Sequence, residues 1–129
     1  MASIFSKIVA GEIPAYKIAE NDNFLAFLDA FPIAKGHLLV IPKVETDYLF
    51  DLDNEQYTSL MLFAKSLVPA LEKAIPCQRI GMSVIGLEVP HVHIHLIPLN
   101  SMKDADFSNK IQLSKEEFLE IAESIKKHL

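Results

Sequence analysis

This 129-residue chain has one cysteine, no excess of basic residues and no apolar run long enough to span a membrane. Cys77 alone cannot form a disulfide framework within the chain, so a reducing compartment fits best. The formal net charge of −5 gives no basic surface for a nucleic-acid polymer, although a local site could still bind a small anion. No segment approaches the ~20 apolar residues of a membrane span, and the start of the chain lacks a signal-peptide pattern. We therefore expect a cytoplasmic protein that binds neither nucleic-acid polymers nor membranes.

Half of the residues are apolar and 22% are charged, which is typical of a soluble globular protein, and we expect a single domain over residues 1–129. Apolar patterning predicts five strands, in AYKIAEND, FLAFLDAFP, AKGHLLVIPK, RIGMSVIGL and HVHIHLIPL. Helical spacing predicts a short helix in IFSKIVAGEIPAY, a long one in DLDNEQYTSLMLFAKSLVPALEKAI and a C-terminal one in SKEEFLEIAESIKKHL. Asp53 and Ser114 are in N-cap positions, and Pro69 should kink the long helix or loosen its last turns. These elements predict an α+β fold: a five-stranded, mainly antiparallel sheet with a long helix on one side, plus a C-terminal helix.

The most unusual segment is HVHIHLI, residues 91–97, in which histidine occupies every second position at the start. Residues two apart in a strand point to the same face and lie ~6.6 Å apart. His91, His93 and His95 would therefore line one face, and the intervening apolar residues would fill the other. Imidazoles are costly to bury without partners, so the histidine face should border a cleft or a hydrogen-bond network.

Two chemistries fit such a row. Zinc needs ligands within ~3.5 Å of each other, and because His91 and His95 start ~13 Å apart, a metal site would require His37 or a carboxylate. Alternatively, a neutral imidazole is a competent nucleophile near pH 7. One neighbouring ring could then contact a phosphate oxygen or leaving group, while another fixes the tautomer of the attacking ring. Packing alone does not explain three histidines on one strand face.

Residues 91–97 match the His-φ-His-φ-His-φ-φ signature, with φ hydrophobic, of the histidine-triad (HIT) superfamily. Residues 4–43, IFSKIVAGEIPAYKIAENDNFLAFLDAFPIAKGHLLVIPK, closely resemble the N-terminal half of its Hint branch. The resemblance covers about residues 3–99 and implies a HIT-like core there, with a helical extension over about residues 103–129. His95 stands where the uridylyltransferase branch has Gln, which favours a hydrolase. Because Hint proteins are typically homodimers with their sheets joined edge to edge, the resemblance also implies a homodimer.

The resemblance implies nucleotidyl transfer to water without a metal or cofactor. His93 would attack the α-phosphorus of a purine nucleoside phosphoramidate or related nucleotide conjugate, and water would hydrolyse the nucleotidyl-histidine. His95 would contact the phosphate or leaving group, while His91 and His37 would orient His93. Two other functions remain open: hydrolysis of dinucleoside polyphosphates, and a nucleotide-binding module with weak catalysis.

A nucleoside pocket is also implied by the resemblance. Asp29 would accept hydrogen bonds from the ribose hydroxyls, although a turn cap near Pro32 would also explain this acid. Gly86 and Val89 keep the family's places in the loop before the first histidine. The base would be enclosed by apolar residues, each of which core packing would also explain: Phe5, Ile8, Ile13, Phe27, Leu28 and Ala30.

The chain departs from its relatives at two places. Many bacterial relatives bind zinc through Cys-x-x-Cys and a later His, but here those positions are Ser3, Ser6 and Glu45, so no metal is predicted. In the loop before His91, Glu88 replaces a hydroxyl residue, and the phosphate-side Asn of the family has no clear counterpart. A carboxylate ~4 Å from a phosphate oxygen would cost on the order of 4 kcal/mol at an effective dielectric of about 20. Glu88 should therefore either point away from the phosphate or face an amine-bearing leaving group.

Overall fold

A five-stranded sheet forms the centre of the computed structural model, which describes residues 2–129. The strands are β1 (Lys17–Glu20), β2 (Phe24–Leu28), β3 (Leu38–Pro42), β4 (Arg79–Ser83) and β5 (Ile94–Leu99). The helices are α1 (Ile4–Val9), α2 (Asn54–Ala74) and α3 (Lys115–Lys127), with 3₁₀ turns at Leu49–Asp51 and Met102–Ala105. The strand order is β1-β2-β3-β5-β4, and every neighbouring pair is antiparallel, which confirms the predicted α+β fold.

Side chains at the predicted caps begin the two long helices. The Asp53 carboxylate accepts a hydrogen bond from the backbone N–H of Gln56 at 2.8 Å, which begins α2. Ser114 and Glu117 form a reciprocal capping box at the start of α3, as their spacing predicts. α2 continues through Pro69 to Ala74. None of the helices within residues 2–129 is long and apolar enough to span a bilayer.

The sheet is apolar on both faces. One face packs against α2 and α3 in the larger cluster, which includes Val40, Ile94 and Leu96. The other face packs against α1 in a smaller cluster consisting of Phe5, Ile8, Leu25, Phe27, Leu39 and Ile41. The two longer helices therefore share one side, as expected, while the short α1 covers part of the opposite face.

Strand register places the histidines on the α1 side. His95 pairs with Leu39 across β3 and β5, and Val92, Ile94 and Leu96 point into the larger core, as alternation predicts. The prediction that all three histidines lie in one strand is wrong, because β5 begins only at Ile94. His91 and His93 precede the strand in a segment whose Val92 N–H donates to the Thr46 carbonyl instead of joining the ladder.

Candidate active site

Backbone geometry fixes the orientation of the central histidine. The Nδ1 of His93 lies 2.7 Å from the carbonyl oxygen of His91, which can only accept a hydrogen bond. Nδ1 therefore carries the proton, and in the neutral ring the lone pair is on Nε2. Phe5 packs edge-on against His93, with ring centroids 5.0 Å apart, and limits rotation of the ring. His93 is thus held in the tautomer that a nucleophile needs.

His91 is held from both sides of its ring. Its Nε2 lies 2.8 Å from the carbonyl oxygen of Pro42, so Nε2 carries the proton. Its Nδ1 lies 2.7 Å from the Ser3 hydroxyl, which must therefore donate to it when the ring is neutral. His91 is fully buried, and it acts on His93 through its backbone carbonyl.

The three positions that depart from the family's zinc ligands form a hydrogen-bond network around His91. One oxygen of Glu45 accepts from the Ser3 backbone N–H at 2.6 Å and from the Ser6 hydroxyl at 2.7 Å. The Ser3 hydroxyl in turn accepts from the Ser6 N–H at 3.0 Å while it faces His91. The backbone hydrogen bond from Ser3, and then the hydroxyl hydrogen bond from Ser6, lower the pKa of Glu45 to about 2. Glu45 therefore remains an acceptor for both serines across the physiological pH range.

His37 pairs with His95. The Ile33 backbone N–H donates to His37 Nδ1 at 3.1 Å, which leaves the proton of the neutral ring on Nε2. That Nε2 lies 2.9 Å from His95 Nδ1 and donates to it, so His95 presents an N–H at Nε2. His95 can thus donate a hydrogen bond to a phosphate oxygen or leaving group, as the resemblance implies.

The prediction that His37 orients His93 is wrong, because the His37 ring bonds to His95 instead. His37 lies just before β3, two positions before Leu39. Leu39 is the residue of β3 that pairs with His95, so the His37 ring lies within reach of the His95 ring. His37 therefore orients His95, whereas the carbonyl of His91 orients His93.

Burial keeps these rings neutral. Desolvation is the largest effect on His37 and His95, and it lowers the pKa of His37 to about 4 and that of His95 to about 3. Burial likewise lowers the pKa of His91, although the Pro42 carbonyl opposes this effect. Near pH 7 the three rings are therefore neutral and contribute N–H donors and lone pairs rather than positive charge.

Asp29 has one oxygen engaged and one oriented toward His37. Its Oδ1 accepts a hydrogen bond from the backbone N–H of Phe31 at 2.9 Å. Asp29 therefore caps the turn near Pro32, which was the alternative explanation for this acid. Its Oδ2 lies 3.5 Å from His37 Nε2, and 15% of the side chain is exposed. Oδ2 therefore remains available to a ligand hydroxyl.

Among the described residues, one cluster is close enough to suggest a metal site. Its potential ligand atoms, in Asp29, His37 and His95, all lie within 4.8 Å of one another. Two nitrogens bound to zinc at ~2.0–2.1 Å in tetrahedral geometry would lie ~3.3–3.4 Å apart. The His37 and His95 nitrogens are only 2.9 Å apart, which is a hydrogen-bond distance. The second nitrogen of His37 already accepts from Ile33. The cluster is therefore arranged as a proton-sharing pair and does not fit zinc.

Most of the predicted base-binding residues lie on the α1 side of the sheet. Phe5, Ile8 and Phe27 form the smaller core cluster with their neighbours, and Ile13 and Val89 pack against it. Leu28 is a correction: it belongs to the larger cluster on the α2 side, because its neighbour Phe27 takes the histidine face. Ala30 is exposed at the turn after β2.

The loop before His91 brings few polar groups to the site. Gly86 adopts a left-handed conformation with φ of 74°, which favours glycine. Leu87 is 89% exposed, and Glu88 is also exposed. The side chain of Val89, in the same loop, packs against the smaller cluster on the histidine face.

Sequence reasoning missed two residues that follow β5. Phe107 packs edge-on against His95 and His37, with ring centroids 4.8 Å and 6.1 Å apart. Lys110 lies over the Phe107 ring, with Nζ 5.9 Å from its centroid. This segment has no strand or helix period, so its sequence carries no signal that places it beside the histidines.

Comparisons with known proteins identify the family and the fold. The HIT domain family model matches residues 10–102 of the chain. Adenosine 5'-monophosphoramidase HNT1 of Saccharomyces cerevisiae is 39% identical over 127 residues, which cover 89% of this chain and 80% of that protein. An uncharacterized HIT-like protein of Borreliella burgdorferi is 34% identical over 131 residues, covering 95% of this chain and 94% of that protein. The solved structure of a Hit-like protein involved in cell-cycle regulation from Bartonella henselae gives a TM-score of 0.85 at 30% identity, covering 98% and 96% of the two chains.

Proposed function

This chain belongs to the HIT family and is a hydrolase, and from that premise we propose that it cleaves purine nucleoside phosphoramidates or related nucleotide conjugates at the α-phosphate. The name of the yeast relative, an adenosine 5'-monophosphoramidase, supports this substrate class. The observation that carries the proposal is the tautomer of His93, whose Nδ1 is bonded to the His91 carbonyl so that Nε2 is free to attack.

In the proposed reaction, His93 Nε2 attacks the α-phosphorus and the bond from phosphorus to the leaving nitrogen breaks. The Nε2–H of His95 gives its proton to the leaving nitrogen, which departs as an amine, since His37 holds the other nitrogen; the attacking water of the second step returns a proton to His95. Water then attacks the phosphorus of the nucleotidyl-histidine and releases a nucleoside monophosphate and free His93. Asp29 Oδ2 would receive a ribose hydroxyl, and the apolar cluster around Phe5 and Phe27 would face the base.

Single-turnover experiments with adenosine 5'-phosphoramidate test this mechanism. Alkaline quenching, which preserves the phosphorus–nitrogen bond, followed by peptide mass spectrometry should find the adenylyl group on His93. His93→Ala should lower turnover on the order of a thousandfold or more, because the nucleophile is removed. His128→Ala, which removes an exposed histidine at the end of α3, is the matched control and should leave turnover unchanged. An active His93→Ala variant, or monophosphate binding without turnover, would contradict the proposal.

We also propose that the protein is a cytoplasmic homodimer joined through the edge of β4. β4 is at one end of the sheet, and its Met82 side chain is 48% exposed. An unpaired strand edge is suited to pairing with a second copy. Sedimentation should give the mass of a dimer, and Met82→Lys should shift the equilibrium toward the monomer. A wild type that sediments as a monomer at every concentration would refute this assignment.

A further inference from the structure

A phosphoryl-transfer site needs positive charge or hydrogen-bond donors at the oxygens of the reacting phosphate. His37 and His95 do not supply this charge, because burial lowers the pKa of both rings far below 7. The loop before His91 does not supply it either, since Leu87 is apolar and Glu88 is an acid. Asp29 adds further negative charge beside His37. Beyond the hydrogen bond that His95 can donate, positive charge beside a substrate phosphate would therefore have to come from another part of the chain.

The segment over residues 106–111 brings such a cation to the site. The Asp106 carboxylate accepts from the backbone N–H of Ser108 at 2.9 Å, which forms a tight turn. The Ile111 N–H donates to the Pro32 carbonyl at 2.9 Å and ties the end of the segment to the turn that follows Asp29. The segment thus makes a tight turn at its start and is tied to the rest of the fold at Ile111.

Phe107 lies within the turn, and Lys110 directly precedes the bonded Ile111. The Phe107 ring meets both rings of the His37–His95 pair, and Lys110 Nζ lies over the Phe107 ring at 5.9 Å. The charge of Lys110 also reaches the pair, because it adds to the larger effect of burial in lowering the pKa of both histidines. Phe5 contacts His91 and His93 instead, so the two phenylalanines bound the histidine row at its two ends.

We propose that Lys110 binds the oxygens of the reacting phosphate, and that Phe107 is the positioning residue that holds Lys110 beside His95. This inference rests on the proposed function and gives the segment after β5 a role in it. Lys110 takes over the task of the polar groups that the loop before His91 lacks. The exposed ammonium is free to turn from the Phe107 ring toward a phosphate without breaking an ion pair, since no acidic partner contacts it within residues 2–129.

Steady-state kinetics on adenosine 5'-phosphoramidate test the role of Lys110. Lys110→Met should lower kcat/KM at least about tenfold, while Lys110→Arg should restore most of it, because removing a donor to a developing oxyanion is costly. Lys103→Met, on the 3₁₀ turn that precedes this segment, is the matched control and should behave as the wild type. The decline of kcat/KM with added salt should also be shallower in Lys110→Met than in the wild type.

A double-mutant cycle tests Phe107. Phe107→Leu should lower kcat/KM in the wild-type background but have little further effect in Lys110→Met, because both changes remove one interaction. Additive losses would show that Phe107 acts independently of Lys110 and would overturn its positioning role. Thermal unfolding of each variant shows whether a loss of activity instead follows a loss of folded protein.

Calorimetry with adenosine monophosphate and adenosine separates this inference from the proposed function. Lys110→Met should weaken binding of the monophosphate about tenfold and leave binding of adenosine unchanged. If that difference appears but the wild type turns over no phosphoramidate, the Lys110 assignment holds and the proposed hydrolysis fails. If the wild type turns over substrate and Lys110→Met matches it in kcat/KM and monophosphate affinity, only the Lys110 assignment is overturned. A wild type that neither hydrolyses the substrate nor binds the monophosphate overturns both.

Discussion

Replacing His95 with asparagine should reduce the dependence of stability on pH. In the folded protein, burial first and the neighbouring histidines next lower the pKa of His95 to about 3, whereas the ordinary value is 6.5. The unfolded chain therefore binds a proton between these two values that the folded chain does not bind. The stabilising contribution is fully present above pH 6.5 and is lost as the pH falls toward the folded pKa. The amide of the His95→Asn variant would keep an acceptor oxygen near the position of Nδ1 and so retain the hydrogen bond from His37.

The magnitude follows from the pKa difference. Each pH unit in which only the unfolded chain is protonated removes about 1.4 kcal/mol from the free energy of unfolding. Protonation of the unfolded chain is partial near pH 6.5, so the loss between pH 7 and pH 5 is about 2 kcal/mol for His95. His37 adds a similar loss in both proteins, because burial lowers its pKa to about 4. The wild type should therefore lose about 2 kcal/mol more than His95→Asn over this range.

Urea denaturation followed by circular dichroism at pH 7 and pH 5 measures this difference. His128→Asn, at an exposed site outside the network, is the control and should retain the full wild-type dependence. Histidine ring signals in the nuclear magnetic resonance spectrum of the wild type provide a second measurement, independent of any variant. Over the same pH range, the folded protein should show no titration of His95.

Equal losses of stability in the wild type and His95→Asn would refute the reasoning. So would a His95 signal that titrates in the folded protein near the ordinary histidine pKa. Either result would mean that the ring is hydrated or paired with an acid, and that the assignment of Nε2 as a neutral donor is wrong.

Three further predictions concern the site and the turns around it. Glu45→Ala should lower kcat several-fold with little change in KM. Glu45→Gln should restore most of the lost kcat, since the amide oxygen can still accept from Ser3. Equal kcat in the wild type and both variants would show that the network does not position His91. Gly36→Ala should destabilise the protein by about 1–3 kcal/mol, because φ of Gly36 is 84° and the new Cβ would lie 2.8 Å from Ile75 Cγ1. An unchanged urea denaturation midpoint would contradict this prediction. Glu88→Gln should lower kcat/KM for amine-bearing leaving groups more than for neutral ones, and equal losses on both would reject the leaving-group role of Glu88.

The strand and helix pattern of the fold was predictable because it depends on local periodicity. Alternation over residues 91–97 correctly placed the intervening apolar side chains in the larger core, and the capping residues Asp53 and Ser114 marked the starts of two helices. The start of β5 was predicted too early, since alternation is the same for an extended segment as for a paired strand. Only the partner decides between them, and before Ile94 that partner is the Thr46 carbonyl rather than a neighbouring strand.

The placement of the imidazoles on one face could be predicted from local sequence, because it depends on strand spacing and on apolar neighbours that fix which face is buried. Local sequence also identified Ser3, Ser6 and Glu45 as residues that cannot form the zinc site of many relatives. How each ring is protonated and what holds it depends on the folded chain, because those partners are remote in sequence. Ser3 and His91 are 88 positions apart, and His37 and His95 are 58 positions apart. Such pairs are brought together by sheet register and by the path of irregular segments, and no local pattern specifies either one.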